Sequence, residues 1–220
     1  MNNCGKLIVV EGACDGIGKS TQYSLLKDYL ISKGNKVTYH HFPSYNTVQG
    51  APVEKYLAGE YGKISDLSPY FITNLYAMDR AITWNIDLKK NYLAGDTILL
   101  DRYTTSSLIY QSALIEDIDE KKKFIDWVCD YEYNKLGVKK PDMVIFLTAP
   151  FDVVNRLRTS RVDNEGIVND IHERDIVFMK KVYDNAIFVA DYLKWNIIEC
   201  SNNNEMRSIE EIHEDIKKLF

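Results

Sequence analysis

The stretch LIVVEGACDGIGKST, residues 7–21, decides the fold that we expect for this chain. Its first four residues are apolar and predict a buried strand, and the glycines that follow predict a turn that opens a helix. Backbone N–H groups in such a turn converge on an anion, beside the positive end of the helix dipole. Lys19 adds a charge that can follow a transferring phosphoryl group, and the Ser20 hydroxyl can face Mg²⁺. The stretch therefore predicts a phosphate-binding loop. Its expected binding residues are Gly12, Asp15, Gly16, Ile17, Gly18, Lys19, Ser20 and Thr21.

The spacing of the glycines departs from the usual pattern of such loops. Five residues lie between Gly12 and Gly18 where the pattern has four, so Ala13 occupies the position of the first glycine. Alanine resists a positive φ. Either the turn carries one extra residue or Ala13 takes an ordinary conformation, and we favour a one-residue bulge around Ala13 and Cys14. The other interpretation is a glycine turn that binds no ligand.

The composition limits the class of protein. A chain of 220 residues fits one α/β domain, over residues 1–220, with its own buried sheet. The 27 Lys and Arg residues against 32 Asp and Glu residues give a formal charge of −5, which argues against nucleic acid or an anionic membrane as a partner. Because the N-terminus lacks a signal-peptide pattern and no run of ~18 apolar residues occurs, we expect a cytoplasmic protein.

The cysteines are scattered and include no CxxC pair, which predicts free thiols. They are Cys4, Cys14, Cys129 and Cys200. Cys14 is either a thiol whose oxidation would block the phosphate-binding loop or an inert small residue.

Apolar runs separated by helical patterns predict the rest of the fold. Four further strands are expected at Val37–Phe42, Thr97–Leu100, Met143–Leu147 and Asn196–Ile198. The helical patterns cover Ser68–Tyr92, Glu120–Leu136 and Glu173–Trp195, and more briefly Thr47–Tyr56, Ser106–Leu114, Phe151–Ser160 and Ser208–Leu219. This alternation predicts a three-layer α/β fold with about five parallel strands and helices on both faces. The polar stretch of residues 159–170 predicts a mobile lid over the phosphates.

Charged residues follow the third predicted strand, where ligands of open α/β sheets bind. Asp101 ends that strand beside the phosphate-binding loop and can orient a water molecule on Mg²⁺. Arg102 comes next, and its paired donors match two oxygens of a phosphate monoester at once. The alternative is a structural ion pair.

Tyr76 and Arg80 lie four residues apart in a helical pattern and therefore share one face. The ring can stack on a nucleobase while the guanidinium donates to a carbonyl oxygen, which together would hold a pyrimidine. On periodicity alone, Tyr76 is also consistent with a core aromatic residue. We expect Asp79 to be an exposed or bridging charge.

Three arginines lead into the predicted lid, and they are Arg156, Arg158 and Arg161. Such a cluster can place a guanidinium against a transferring phosphoryl group in the transition state. A solvated helix face is the other interpretation. No Ser-His-Asp arrangement can be assembled from the four histidines, because no nucleophile elbow occurs.

The order and spacing of these motifs resemble the thymidylate kinase family over nearly the whole chain. The motifs are the glycine-rich loop, Phe42-Pro43, Tyr76 to Arg80, Asp101-Arg102-Tyr103, Tyr110-Gln111 and His172 to Asp175. The resemblance implies a nucleoside monophosphate kinase fold that usually forms a homodimer. It also implies transfer of the γ-phosphoryl group of ATP to dTMP, giving dTDP, with ATP and Mg²⁺ as cofactors.

The resemblance also implies roles for residues. Catalysis would depend on Asp15, Lys19, Arg102, Arg158 and Arg161. Substrate would contact Phe42, Tyr76, Arg80, Arg102, Ser106, Ser107 and Tyr110, and the metal would lie near Ser20 and Asp101. Tyr110 would disfavour a 2′-hydroxyl, and Ser107 stands where many relatives have asparagine or glutamine. Gly16 stands where some relatives carry a catalytic arginine, which agrees with arginines supplied from the lid.

Other functions stay open at this point. One is a deoxynucleoside kinase, which would need a base near Glu11, or a nucleoside monophosphate kinase with a different pyrimidine acceptor. Another is a GTP-dependent switch protein, although Asn134-Lys135 is not followed by the aspartate of Asn-Lys-x-Asp and Asp163 to Gly166 falls in the predicted lid.

Overall fold

The computed structural model describes residues 4–13, 16–157 and 176–220. Its main sheet has five parallel strands in the order β2-β3-β1-β4-β5. The strands are β1 (Leu7–Gly12), β2 (Val37–His41), β3 (Thr97–Asp101), β4 (Met143–Thr148) and β5 (Asn196–Glu199). The predicted parallel sheet is thereby confirmed. A short antiparallel hairpin of β6 (Ser201–Asn202) and β7 (Glu205–Met206) follows, which the sequence patterns did not predict.

β1 is the centre of the sheet. All six of its residues are buried, and it pairs with β3 on one side and β4 on the other. Val10 lies opposite Asp101, and Gly12 lies opposite Leu147. The loop that leaves β1 therefore starts at the same edge of the sheet at which Asp101 ends β3.

Helices connect the strands. They are α1 (Lys19–Ser32), α2 (Ala51–Leu57), α3 (Pro69–Thr83), α4 (Lys89–Leu93), α5 (Thr104–Tyr110), α6 (Ile118–Cys129), α7 (residues 151–157), α8 (Ile176–Tyr192) and α9 (Ile209–Lys217). Short 3₁₀ turns occur at Ile64–Asp66 and Ser112–Leu114. The long helices predicted at 68–92 and 120–136 each contain a π-helical segment, at Trp84–Leu88 and Asp130–Lys135. The first joins α3 to α4 in one continuous helix, and the second is a C-terminal extension of α6.

Both faces of the sheet are covered. Ile8 and Val10 pack with Leu26 of α1 in one core cluster, whereas Leu7 and Val9 pack with Trp84 in another. Successive side chains of a strand point to opposite faces, so a strand that is buried throughout, as β1 is, requires a layer on each side. The three-layer prediction is confirmed.

The cysteines within the described ranges, Cys4, Cys129 and Cys200, are free thiols as predicted. Cys14 and the lid predicted over residues 159–170 lie outside the described residues. Among the helices that the structure describes, none has the length and apolar character needed to cross a membrane.

Candidate active site

The glycine-rich loop begins as a continuation of β1. Ala13 is fully buried, and its N–H donates to the carbonyl of Leu147 at 2.9 Å. Positive φ angles occur at Gly16 (91°) and Gly18 (86°) rather than at Ala13. Ala13 thus has no positive φ, and the bulge predicted around Ala13 and Cys14 stays a prediction because it includes Cys14. Cys14 and Asp15 lie outside the described residues.

Lys19 opens α1 and forms a buried contact at the edge of the sheet. Its Nζ bonds Asp101 Oδ1, and Asp101 Oδ2 lies 3.1 Å from His41 Nδ1. Both Lys19 and Asp101 have less than a tenth of their side chains exposed. Ser20, the next residue of α1, is exposed. His41 was missed by the sequence patterns, which placed it on a strand but assigned it no partner.

The carboxyl group of Asp101 stays ionised down to low pH. Burial raises its pKa, but hydrogen bonds from His41 and Lys19 and their charges outweigh burial and lower the pKa to about 2. The same carboxylate adds to burial in raising the pKa of Tyr23. A carboxylate that is ionised at neutral pH can hold a cation at this edge.

We expect Asp101 to stabilise the fold in a pH-dependent way. Its pKa is lower in the folded chain than the ordinary value of 3.8, so its contribution is present above pH 4 and is lost as pH falls through 2. The shift corresponds to about 2 kcal/mol, of which about half remains at pH 3. Urea unfolding of the wild type and Asp101→Asn at pH 7 and pH 3 measures this, with the surface variant Asp28→Asn as control. A stability gap that is equal at both pH values would contradict the expectation.

Arg102 directly follows β3, with a left-handed φ of 63° and its N–H donating to the carbonyl of Val10 at 3.2 Å. Its Nη1 lies 3.5 Å from Ser106 Oγ and 3.7 Å from Glu11 Oε1. The ring of Tyr110 has its centroid 5.6 Å from Cζ. The guanidinium, 15% exposed, therefore lies between a carboxylate and an aromatic face beside the phosphate-binding loop.

Glu11 is the residue that holds this arrangement together. Its carboxylate is fully buried and accepts hydrogen bonds from Gly12 N at 3.1 Å, Thr105 Oγ1 at 2.8 Å and Ser106 Oγ at 2.6 Å. Four donor groups, counting Arg102, surround it, so the negative charge is compensated within the fold.

Arg80 forms a second buried cluster. Its Nε and Nη2 donate to the two carboxylate oxygens of Glu132 at 2.7 and 2.6 Å, and Nη2 also donates to Ser107 Oγ at 2.7 Å. Nη1 donates to the carbonyl of Tyr103 at 3.3 Å. Burial lowers the pKa of Arg80, but Glu132 outweighs burial and raises it. The guanidinium is charged and rigidly held.

The sequence patterns missed Glu132. It is fully buried on the π-helical segment that extends α6. The signal was present, because Glu132 follows the buried Phe124 and Val128 at a spacing of four residues and so continues their stripe. An acidic residue on the buried stripe of a helix indicates a cation across the interface.

Aromatic residues lie around Arg80. Tyr76, half-buried, has its ring centroid 6.0 Å from Arg80 Cζ and 6.1 Å from the ring of Tyr56. Phe42 is 2% exposed and packs 5.7 Å from the ring of Tyr103, so its ring supports its neighbours from within the core. Tyr76 is therefore more accessible to a ligand than Phe42.

Asp79 was expected to be either an exposed or a bridging charge, and the structure shows that it is not exposed. It is 1% exposed and accepts from Ser44 N at 2.8 Å, with Thr83 Oγ1 at 3.4 Å. It bridges α3 to the segment that follows β2. Among the three lid arginines, Arg156 donates to the carbonyl of Asn204 at 2.8 Å, and Arg158 and Arg161 lie outside the described residues.

Comparisons with known proteins agree on one family. A family model described as Thymidylate kinase matches residues 10–216. A putative thymidylate kinase of Invertebrate iridescent virus 6 is 32% identical over 203 residues, covering 90% of this chain and 82% of the relative. The thymidylate kinase of Homo sapiens is 29% identical over 220 residues, covering 98% of this chain and 89% of the relative.

A solved structure supports the fold separately. The structure of a thymidylate kinase from Candida albicans matches with a TM-score of 0.74 at 23% identity, and the match covers 98% of this chain and 91% of that one. The architecture of the described residues is therefore the P-loop NTPase fold.

Proposed function

Because the chain belongs to the thymidylate kinase family, we propose that it transfers the γ-phosphoryl group of ATP to dTMP, giving dTDP for dTTP biosynthesis. The observation that carries the proposal is the position of Arg102. A guanidinium backed by Glu11 and Tyr110 lies next to the phosphate-binding loop, where it can bind the phosphate of a nucleotide acceptor. A chain that only hydrolysed its nucleotide would need no second anion site there.

ATP is the proposed donor, bound by the loop after β1. Gly16 and Gly18 supply the left-handed conformations that turn backbone N–H groups inward, and Lys19 supplies the cation. Phosphoryl transfer asks for alignment and charge compensation rather than covalent chemistry, and these residues provide both.

The residues at this edge fit Mg²⁺. Mg²⁺ prefers oxygen ligands and is usually held by one or two protein groups together with the phosphates of its nucleotide. Ser20 offers an exposed hydroxyl, Asp101 offers an ionised carboxylate, and no cluster of three potential metal ligands occurs in the described ranges. Ser20 and Asp101 would hold the ion, which supplies charge compensation for the transferring phosphoryl group when bound.

The acceptor dTMP is proposed to lie on the other side of β1. Arg102 would bind its phosphate with Ser106 nearby, Tyr110 would lie under the sugar, and Tyr76 would stack on the base. Arg80 and Ser107 would face the base edge, and Phe42 would support this wall. Asp15, Arg158 and Arg161 would complete the charge around the reacting phosphates.

The contacts of Glu11 weigh against a deoxynucleoside kinase. Such an enzyme would use a base near Glu11 to take a proton from a sugar hydroxyl. Here three hydrogen bonds occupy that buried carboxylate, and Arg102 lies 3.7 Å away. The structure favours a charged acceptor over a neutral nucleoside.

A coupled assay of ATP consumption tests the proposal. dTMP, dUMP, dCMP, dGMP and thymidine are offered in turn to the purified chain with Mg²⁺. We expect turnover with dTMP to exceed turnover with thymidine by at least ~100-fold, because thymidine lacks the phosphate that Arg102 binds. Preferred use of thymidine would establish a deoxynucleoside kinase. Slow hydrolysis of GTP, offered in place of ATP, with no acceptor used would indicate a switch protein.

We also propose that the chain forms a homodimer through α3. Large apolar side chains are exposed along one stripe of this helix and its π-helical extension, at spacings of seven, four and four residues. They are Phe71, Met78, Ile82 and Ile86.

A cytoplasmic location is proposed as well, since the free thiols of Cys4, Cys129 and Cys200 suit a reducing compartment.

The exposed apolar stripe of α3 predicts that one charged substitution within it prevents dimer formation. Met78→Lys is expected to shift the molar mass in solution from about twice 25.4 kDa to 25.4 kDa. Light scattering coupled to size-exclusion chromatography measures the mass. Ile31→Lys, which also replaces a half-exposed apolar residue but lies on α1, is the control. A Met78→Lys chain that stays dimeric would place the interface elsewhere.

A further inference from the structure

The buried cluster around Arg80 contains more contacts than a base-reading arginine requires. Arg80 and Glu132 have 1% and 0% of their side chains exposed and meet through two parallel hydrogen bonds. A bidentate pair fixes the plane of the guanidinium as well as its position. The carboxylate is fixed in turn, because Thr104 Oγ1 donates to Oε2 of Glu132 at 2.8 Å.

We propose that Glu132 is a positioning residue for the acceptor base. It holds Arg80, and through Arg80 the hydroxyl of Ser107, as hydrogen-bond donors toward the base edge. The site then accepts a pyrimidine that presents a carbonyl oxygen at that edge and disfavours one that presents an amino group. This inference rests on the proposed function, because it concerns the acceptor of that reaction.

The number of N–H groups on Arg80 supports this preference for a carbonyl oxygen. A guanidinium has five N–H groups, and four of those of Arg80 are used by Glu132, Ser107 and the carbonyl of Tyr103. The fifth, on Nη1, is left for a ligand. Ser107 accepts from Nη2, so its hydroxyl hydrogen stays available to donate. The cluster therefore offers donors and no strong acceptor at this wall.

The charge balance explains why Glu132 is needed. A buried guanidinium without a partner is unstable, and a mobile one would find carbonyl oxygens elsewhere in the core. Paired with Glu132, Arg80 carries no net local charge and acts as an oriented donor. Discrimination between bases then depends on hydrogen-bond polarity, because an amino group facing N–H and O–H donors leaves buried donors unpaired.

The residues of this cluster lie on different elements from the loop proposed to bind ATP. Arg80 is on α3, Ser107 and Thr104 are on α5, and Glu132 is on the extension of α6. None of these elements includes the loop after β1. A change at Glu132 should therefore act on the acceptor and leave ATP binding as it is.

The test compares acceptors in Glu132→Gln. We expect the KM for dTMP to rise ~10-fold and the preference for dTMP over dCMP, as the ratio of kcat/KM values, to fall ~10-fold, since one of two charge-assisted bonds is lost. The KM for ATP is expected to stay within ~2-fold, because the loop is untouched. Glu120→Gln, on the exposed face of α6, is the matched control.

The preference ratio distinguishes positioning from a structural role. A variant that is only partly folded loses activity with both acceptors equally, so its ratio stays at the wild-type value. If Glu132→Gln fails to fold, Thr104→Val decides, because it removes only the hydroxyl that holds Oε2. Thr104→Val is expected to lower the preference ~3-fold, because Glu132 loses one hydrogen bond but stays paired with Arg80.

The outcomes also separate this inference from the proposed function. A wild-type chain that phosphorylates no nucleoside monophosphate overturns the proposed function and this inference with it. A wild type active on dTMP, with an unchanged dTMP to dCMP preference in the folded variants, overturns this inference alone. A rise in the KM for ATP of Glu132→Gln as large as the rise in its KM for dTMP would also overturn this inference alone.

Discussion

Replacing Lys19 with methionine is expected to lower kcat by ~10²- to 10³-fold, the typical loss when one preorganised group that compensates transition-state charge is removed. Lys19 begins α1 at the mouth of the phosphate-binding loop, and its ammonium already lies at this edge of the sheet against Asp101. When ATP is bound, the same ammonium can follow the γ-phosphoryl group as charge builds up on it. Methionine keeps the length of the side chain and removes only the charge and its hydrogen bonds.

Steady-state kinetics at saturating ATP and dTMP measure this effect. The fold is expected to persist in the variant, because Asp101 keeps its contact with His41 at 3.1 Å. Lys27→Met is the matched control, since Lys27 lies on the same helix with a partly exposed side chain. A Lys19→Met chain that kept a third of the wild-type kcat would show that the transferring phosphoryl group does not depend on this cation.

For Arg102→Ala we expect a rise of ~100-fold in the KM for dTMP, with the KM for ATP nearly unchanged. Removing one partner of a charge-assisted, partly buried pair costs about 2–5 kcal/mol, a range that includes the ~2.7 kcal/mol of a 100-fold change. The acceptor phosphate would lose its guanidinium, whereas the loop after β1 would keep its own groups. Glu11 keeps its three hydrogen bonds in the variant, so the scaffold around it should remain.

Arg102→Lys refines this experiment. Lysine keeps the charge but cannot make two parallel hydrogen bonds, so its KM for dTMP is expected to lie between the wild type and Arg102→Ala. Position 102 has a φ of 63° in each case, so the two substitutions share the backbone strain of the wild type and report the side chain. An unaffected KM for dTMP in Arg102→Ala would remove dTMP as the acceptor.

The strands were predictable because each is a short apolar run with a clear end. Thr97 to Leu100 is closed by the charged pair Asp101-Arg102, and the structure ends β3 at Asp101. The π-helical segments were not predictable in the same way. A wider turn shifts the spacing by one residue, and the pattern of apolar positions on either side still reads as one helix.

The site divides along similar lines. The loop after β1 and Arg102 could be predicted, because the residues that form each motif are neighbours in sequence. The pairings of Glu132 and His41 could not, because their partners are distant in the chain. Arg80 and Glu132 are separated by 52 positions. A single sequence indicates that a charged residue is buried only through the apolar stripe around it, and it does not indicate which element will face it.

The order of the strands has a consequence for how such a protein can diversify. From β1 the chain first builds one flank of the sheet, with β2 and β3, and only afterwards crosses to the other flank, with β4 and β5. All the proposed contacts to the acceptor base, sugar and phosphate therefore fall in one uninterrupted portion of the polypeptide, from Phe42 to Tyr110, whereas the loop proposed to bind the phosphates of ATP precedes it. Mutation or recombination within that portion can change which nucleoside monophosphate the protein binds, while the loop that binds the phosphates of ATP stays the same.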